Sequence, residues 1–169
     1  MTTLGDAFVE LNKLEQDGVI SKYAVAGGMA FLFYTDPVNT YDLDVFVYLP
    51  KQEGDGLIIS MSPLYDELRK RGHTFDGEHV KIAGIVVQFI VAYSSLAEEA
   101  LDQAVIHDYE GVPVRVISPE HLVALAYDTG GAKRRERAQA MLDDEGVVNL
   151  DRLKQIMEAH NVSTEKKNA

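Results

Sequence analysis

The chain has 169 residues and a mass of 18.7 kDa, the size of one domain or of one domain with a small appendage. Hydrophobic residues make up 46% and charged residues 25%, which is ordinary globular usage; the lack of cysteine excludes a disulfide scaffold, a thiolate metal site and a cysteine nucleophile. Sixteen basic against 27 acidic side chains leave a net charge of −11, which argues against broad nucleic-acid binding because phosphate contacts need clustered Lys and Arg.

Leu4, Ala7, Phe8, Leu11 and Leu14 recur at helical spacing, and Asp17-Gly18 is a stop signal. Tyr23 to Ala26 reads as a short strand or buried turn. After Gly27-Gly28, Met29 to Tyr34 reads as a helix, broken by Asp36-Pro37. Leu43 to Leu49 is strand-like, and Lys51 to Gly56 is a loop. Ser62 to Gly72 predicts a helix with Ser62 as N-cap, Pro63 in its first turn and Arg69, Lys70 and Arg71 near its end. His73 to Ala83 and Ile85 to Tyr93 predict two antiparallel strands joined near Gly84. Ser95 to Ile106 predicts an amphipathic helix, and Tyr109 to Ile117 a hairpin or strand turning at Gly111. Ser118-Pro119-Glu120 carries the signature of a helix start. Two more helices are expected over Lys133–Asp144 and Leu150–His160.

The expected fold class is therefore α+β, a small mixed β-sheet flanked by helices, with a C-terminal helical tail. Residues 1–118 form the expected α/β core, 119–160 a helical extension packed on it, and 161–169 a frayed tail. Apolar runs are too short to span a bilayer and no signal-peptide pattern opens the sequence, so a cytoplasmic protein with no membrane partner is expected.

The chemistry concentrates between Ala24 and Leu49. Gly27-Gly28 lets another group approach the backbone closely, and a helix starting at Met29 offers free N–H groups to phosphate oxygens. Thirteen residues separate Gly28 from Asp42-Leu43-Asp44 at a strand entry. Residues i and i+2 of a strand share a face, so Asp42 and Asp44 stand side by side. Adjacent carboxylates repel unless a cation lies between them, and Mg²⁺ takes one or two carboxylates together with phosphate oxygens.

Gly-Gly followed by Asp-apolar-Asp-apolar resembles the signature of the nucleotidyltransferase superfamily with the polymerase-β-like fold. The form here is most similar to small bacterial proteins related to abortive-infection nucleotidyltransferase toxins. Thr40, the strand VVQFIV, the block GVPVRVISPEHLVALA, and Gly130 and Lys133 follow the layout of that group, so the likeness spans roughly residues 20–145. It implies Asp42 and Asp44 as catalytic metal ligands, and Gly27, Gly28, Thr40, Gln88 and Lys133 as nucleotide-binding residues. It further implies Mg²⁺ as cofactor and transfer of a nucleoside monophosphate from a nucleoside triphosphate to a hydroxyl on a protein or tRNA. A toxin–antitoxin partner protein belongs to the same implication.

Three departures qualify it. Gln88 stands where superfamily members active by two-metal catalysis carry a third carboxylate, and an amide neither offsets a second cation nor acts as a base. Val38 replaces an upstream Arg, and Arg134 replaces an Asp. An inactive nucleotide-binding or protein-interaction module of the same fold is the alternative. Lys133, Arg134, Arg135 and Arg137 form the densest basic cluster, either a solvated helix face or a triphosphate contact. The five histidines, at 73, 79, 107, 121 and 160, show no ligand spacing and read as structural or exposed.

Overall fold

The computed structural model describes residues 3–36, 40–51 and 59–165. Pro37, Val38, most of the expected 51–56 loop and the last residues of the expected tail lie outside them.

Helix α1 (Leu4–Gln16) opens on a capping box. The Thr3 hydroxyl accepts from the Asp6 N–H, and the Asp6 carboxylate accepts from the Thr3 N–H. Its apolar stripe of Ala7, Phe8, Leu11 and Leu14 is fully buried, as the periodicity predicts. Strand β1 (Lys22–Ala26) passes directly into the single-turn helix α2 (Gly27–Phe31), which begins at Gly27, two residues before the expected start at Met29. Strand β2 (Asp42–Tyr48) follows.

Helix α3 (Ser62–Lys70) begins one residue earlier than predicted: Met61, not Ser62, holds the cap position, and the Ser60 hydroxyl accepts from the Ser62 N–H. The segment read as one strand over 73–83 is two, β3 (Thr74–Asp76) and β4 (His79–Ile82), divided by a turn at Gly77-Glu78. Strand β5 (Ile85–Val91) comes next. Helix α4 (Ser95–Asp102) is shorter than expected, because Val105 and Ile106 belong to β6 (Val105–Tyr109), where they pair with Val116 and Arg115 of β7 (Val112–Val116). Helices α5 (Pro119–Thr129), α6 (Ala132–Asp143) and α7 (Leu150–Ala159) complete the described chain, with Ser118 capping α5 as predicted.

The strands form one seven-stranded mixed sheet in the order β3-β4-β5-β2-β1-β7-β6. Strand β1 is antiparallel to the central strand β2 and parallel to β7, and β2 is parallel to β5. Leu43, Val45 and Val47 on β2 and Val87, Phe89 and Val91 on β5 bury one face in the core. The alternate residues, Asp42, Asp44 and Phe46 on β2 and Gln88 and Ile90 on β5, are left on the opposite face, which is only partly covered. The segment leaving α2 is tied to the far side of the sheet. The Tyr34 hydroxyl donates to the Ile117 carbonyl at 2.9 Å and lies 2.9 Å from His107 Nε2. No described helix is long and apolar enough to cross a membrane.

Candidate active site

Strand register builds the floor of the site. Ala26 on β1 lies opposite Asp44 on β2, and Asp44 lies opposite Gln88 on β5. Residues directly opposite share a face, so Asp44 and Gln88 present their side chains together, and Phe46 and Ile90 repeat the arrangement two residues on. The i, i+2 reasoning holds: Asp42 and Asp44 both line the cleft above this face.

Gly27 closes the corner. Its φ of +59° lies in the left-handed region, and a Cβ there would collide with the Asp44 carboxylate. Gly28 is tight for a different reason. A Cβ on it would sit 2.8 Å from Arg137 Nη1 and 2.9 Å from Thr40 Oγ1. The two glycines thus let a carboxylate, a hydroxyl and a guanidinium converge on one turn of backbone. Thr40 Oγ1 also lies 3.4 Å from the Asp42 carbonyl oxygen.

The cleft has a volume of about 700 Å³. Gly27, Gly28, Thr40, Asp42, Asp44, Gln88 and Lys133, the residues to which the resemblance gives binding roles, all line it. Arg134 and Arg137 join them from α6, whereas Arg135 turns away to donate from Nη2 to the Glu165 carbonyl. The basic cluster is therefore divided: three cations face the cleft and the fourth bonds the segment after α7. Phe46 and Ile90 from the sheet and Leu122, Leu125 and Ala126 from α5 supply apolar lining.

Burial raises the Asp44 carboxyl above its usual range, and the neighbouring Asp42 charge raises it further; Arg134, His79 and Arg137 pull it back down. Two carboxylates held this close are costly until a cation joins them. Among the described residues, no third His, Asp or Glu completes a three-ligand cation site with them.

The sequence places Arg137 only within a basic cluster, either a solvated helix face or a triphosphate contact, and does not single out Phe46 or Ile90. Arg137 stands one helical turn after Lys133. Phe46 and Ile90 follow Asp44 and Gln88 at strand period. His79, expected to be structural or exposed, is half-buried and is not among the residues that line the cleft, although its charge draws the Asp44 carboxyl downward.

The reading of His121 and His160 as non-ligands is consistent with their contacts. Both direct Nε2 at Glu99 Oε2, at 3.3 and 2.6 Å, while Ser118 and Ser95 hydroxyls approach their Nδ1 atoms at 2.7 and 3.1 Å. With both rings neutral, each Nε2–H donates to Glu99 and each Nδ1 accepts from a serine. Ser118, fully buried, is thereby a cap and a ring anchor rather than a nucleophile.

No family model matches the chain, and no curated protein does. Solved structures do. The antibiotic-resistance factor ANT(2'')-Ia in solution superposes with a TM-score of 0.52 at 14% identity, over 95% of this chain and 93% of that one. The same factor in complex with adenylyl-2''-tobramycin gives 0.52 at 14% identity, over 91% and 96%. An antigenic nucleotidyltransferase-like protein from Paracoccidioides brasiliensis gives 0.51 at 16% identity, over 90% and 84%. At these identities the likeness concerns architecture: a mixed sheet flanked by helices, in the fold of nucleotidyltransferases.

Proposed function

We propose that the chain is a nucleotidyltransferase, moving a nucleoside monophosphate from a nucleoside triphosphate to a hydroxyl acceptor. The observation that carries this reading is the convergence of the Gly27-Gly28 turn, Thr40, the Asp42–Asp44 pair, Gln88 and Lys133 on one cleft, when they are spread over more than 100 residues of sequence. The fold shared with ANT(2'')-Ia, which has been captured with an adenylylated product, supports it.

Asp42 and Asp44 suit a hard divalent cation such as Mg²⁺, because their mutual repulsion is relieved by one and the remaining positions fall to phosphate oxygens. Such an ion, when bound, withdraws charge from the phosphate it touches. The rest of the work falls to the chain itself. Gly27 and Gly28 admit the phosphates to within contact of the backbone, and Thr40 and Gln88 offer polar groups beside them. Lys133, Arg134 and Arg137 offset the charge of the departing pyrophosphate. The acceptor oxygen attacks the α-phosphorus, the bond from that phosphorus to the oxygen bridging to the β-phosphate breaks, and pyrophosphate leaves.

The acceptor is a hydroxyl on a protein, a tRNA end or a small molecule. The resemblance to abortive-infection proteins favours the first two within a toxin–antitoxin pair, in the cytoplasm. One observation favours a second reading, an inactive nucleotide-binding module: the neighbour of Asp44 on β5 is the amide Gln88 rather than a carboxylate. Incubation with α-³²P-labelled triphosphates, Mg²⁺ and either cell extract or tobramycin separates the two. The transferase reading expects labelled acceptor with wild type and none with Asp44→Ala. Nucleotide binding without any turnover supports the module, and equal labelling by both proteins overturns the site.

A further inference from the structure

The cleft changes character along its length, and several elements change together. On β2 its face runs Asp42, Asp44, Phe46, and on the parallel β5 it runs Gln88, Ile90. Phe46 and Ile90 therefore lie one step, roughly 7 Å, beyond Asp44 and Gln88. Past the end of β5, Tyr93 and Ser94 carry the lining on to Ala97 in the first turn of α4, where the Ser94 hydroxyl accepts from the Ala97 N–H. Helix α5 is graded too. Its last residues, Asp128 and Thr129, lead through Gly130-Gly131 into α6 and its three cleft cations, while Leu122 lies roughly 10 Å back along the axis. Arg137 of α6 in turn stands against Gly28. One end of the cleft thus holds the glycine turn and the cations, the middle holds the Asp42–Asp44 pair, and the other end is apolar.

The two ends suit different parts of the reacting pair. In the proposed reaction pyrophosphate departs toward the glycine turn and the cations of α6. The attacking and leaving oxygens lie roughly in line across the α-phosphorus. With that phosphorus at the Asp42–Asp44 pair, the acceptor oxygen approaches from the side of Phe46 and Ile90. Among the described residues lining that end none is charged, and its polar side chains are those of Tyr93 and Ser94. Phe46, Ile90 and Leu125 are only half-buried, so each keeps apolar surface to cover, and Tyr93 is 69% exposed. Apolar atoms placed there gain by leaving water, whereas an ammonium or a phosphate would be stripped of water with no counter-charge to receive it.

We infer that this end is the acceptor subsite, and that the acceptor is a hydroxyl on an uncharged, ring-sized apolar body, such as a tyrosyl side chain or a small aromatic alcohol. Its oxygen bonds the α-phosphorus as the bond to the bridging oxygen breaks; pyrophosphate leaves toward α6 and the hydroxyl proton passes to solvent. The inference rests on the nucleotidyl transfer proposed above and narrows its acceptor.

The test uses the full chain with Mg²⁺ and each α-³²P-labelled ribonucleoside triphosphate. It measures label transfer to 2-phenylethanol, a capped uncharged peptide with one tyrosine, glycerol, tobramycin and bulk tRNA. Binding of an α,β-methylene triphosphate is measured alongside by calorimetry. An aromatic acceptor is expected to exceed glycerol in kcat/KM by about 10–100-fold, and whichever of the two leads distinguishes a small alcohol from a protein side chain. Leu125→Asn and, from the sheet, Ile90→Thr are each expected to raise the KM of that acceptor by about fivefold or more and to leave the analogue's affinity within about threefold. Preference for tobramycin places the acceptor against carboxylates such as Asp128 and overturns the inference, and preference for tRNA or glycerol overturns it equally. Loss of analogue affinity in a variant that melts like wild type, with the acceptor's KM unchanged, seats the nucleobase at this end and also overturns it. In each of these cases transfer itself stands. Absence of label on every acceptor, with analogue binding retained, removes the transfer reading and the subsite with it.

Discussion

At the residue scale, the tightest constraint is the meeting of Gly27 with Asp44. Gly27→Ala is opposed twice, by a left-handed φ and by the carboxylate that occupies the Cβ position. We expect it to cost about 1–3 kcal/mol in urea unfolding and to reduce transfer far more than its stability loss explains, because Asp44 must move. Gly28→Ala, at an ordinary φ, is expected to keep the fold and weaken nucleotide binding by displacing Arg137 or Thr40. Asp44 itself is held at a cost. Its carboxyl is raised in the folded chain by burial and by Asp42, so the folded state binds that proton more tightly than the unfolded one. Stability is therefore lost as pH rises from about the ordinary carboxylate value through the raised one. In cation-free buffer at pH 7.5, Asp44→Asn is expected to raise Tm while abolishing transfer, with the Tm difference shrinking as pH falls. A lower Tm for the variant would show that Asp44 makes a stabilising contact.

These residues differ in how far the sequence exposes them. Asp42 and Asp44 are legible because strand period 2 is local, and the glycine pair because the motif spacing is short. Lys133 and Arg137 are legible in principle, one helical turn apart. The pull of His79 on the Asp44 carboxyl is not, since nothing in the order of residues says that β4 aligns Val80 with Val87 rather than with a neighbour.

At the element scale, α7 is held to the body by polar clasps over a modest apolar contact. Leu153 and Ile156 are buried, His160 reaches Glu99 on α4, and Arg152 reaches Glu120 on α5 at 3.3 Å and Gln103 at 2.9 Å. Because the Glu120 carboxylate is itself buried, Arg152→Ala is expected to cost about 1.5–3 kcal/mol by denaturant melt. Acid should loosen the same clasp. Burial lowers the His121 pKa despite the nearby Glu99, and burial also lowers that of His107. For Glu99, burial pushes upward but the hydrogen bonds from His160 and His121 outweigh it, and the carboxyl ends below its usual value. In all three the unfolded chain binds the proton more tightly. Stability is then complete above about pH 6.5, falls first as the histidines titrate, and falls again below the ordinary glutamate range. Urea midpoints at pH 7.5 and 5.5 check this, and His121→Gln should flatten the difference.

The helices themselves were readable from caps and periodicity: Ser118-Pro119 opens α5 as expected, and the apolar stripe of α1 is buried in full. Short strands were less so. The split at Gly77-Glu78 and the early start of β6 at Val105 depend on pairing partners rather than on local preference.

At the scale of the whole molecule, the net charge of −11 coexists with a cleft lined by three cations, the Asp42–Asp44 pair and Asp128. Residues 1–129 hold 20 acidic and 8 basic side chains, whereas α6 alone contributes Lys133, Arg134 and Arg137 to the site. That distribution suits a small anion carrying its own cation, and it opposes a long polyanion outside the cleft. Duplex DNA or bulk RNA at 150 mM salt is expected to show no measurable anisotropy change, and micromolar binding would contradict that reading of the charge.

The central claim is that the Asp42–Asp44 pair and the glycine turn form one metal-assisted triphosphate site. Its most direct test is calorimetric titration of each triphosphate into the protein with Mg²⁺ and again with EDTA, for wild type and Asp42→Asn/Asp44→Asn. The account predicts saturable binding of at least one triphosphate that weakens tenfold or more on chelation. It also predicts that the double variant no longer responds to Mg²⁺. Binding of equal strength in all four conditions, or in none of them, would contradict it.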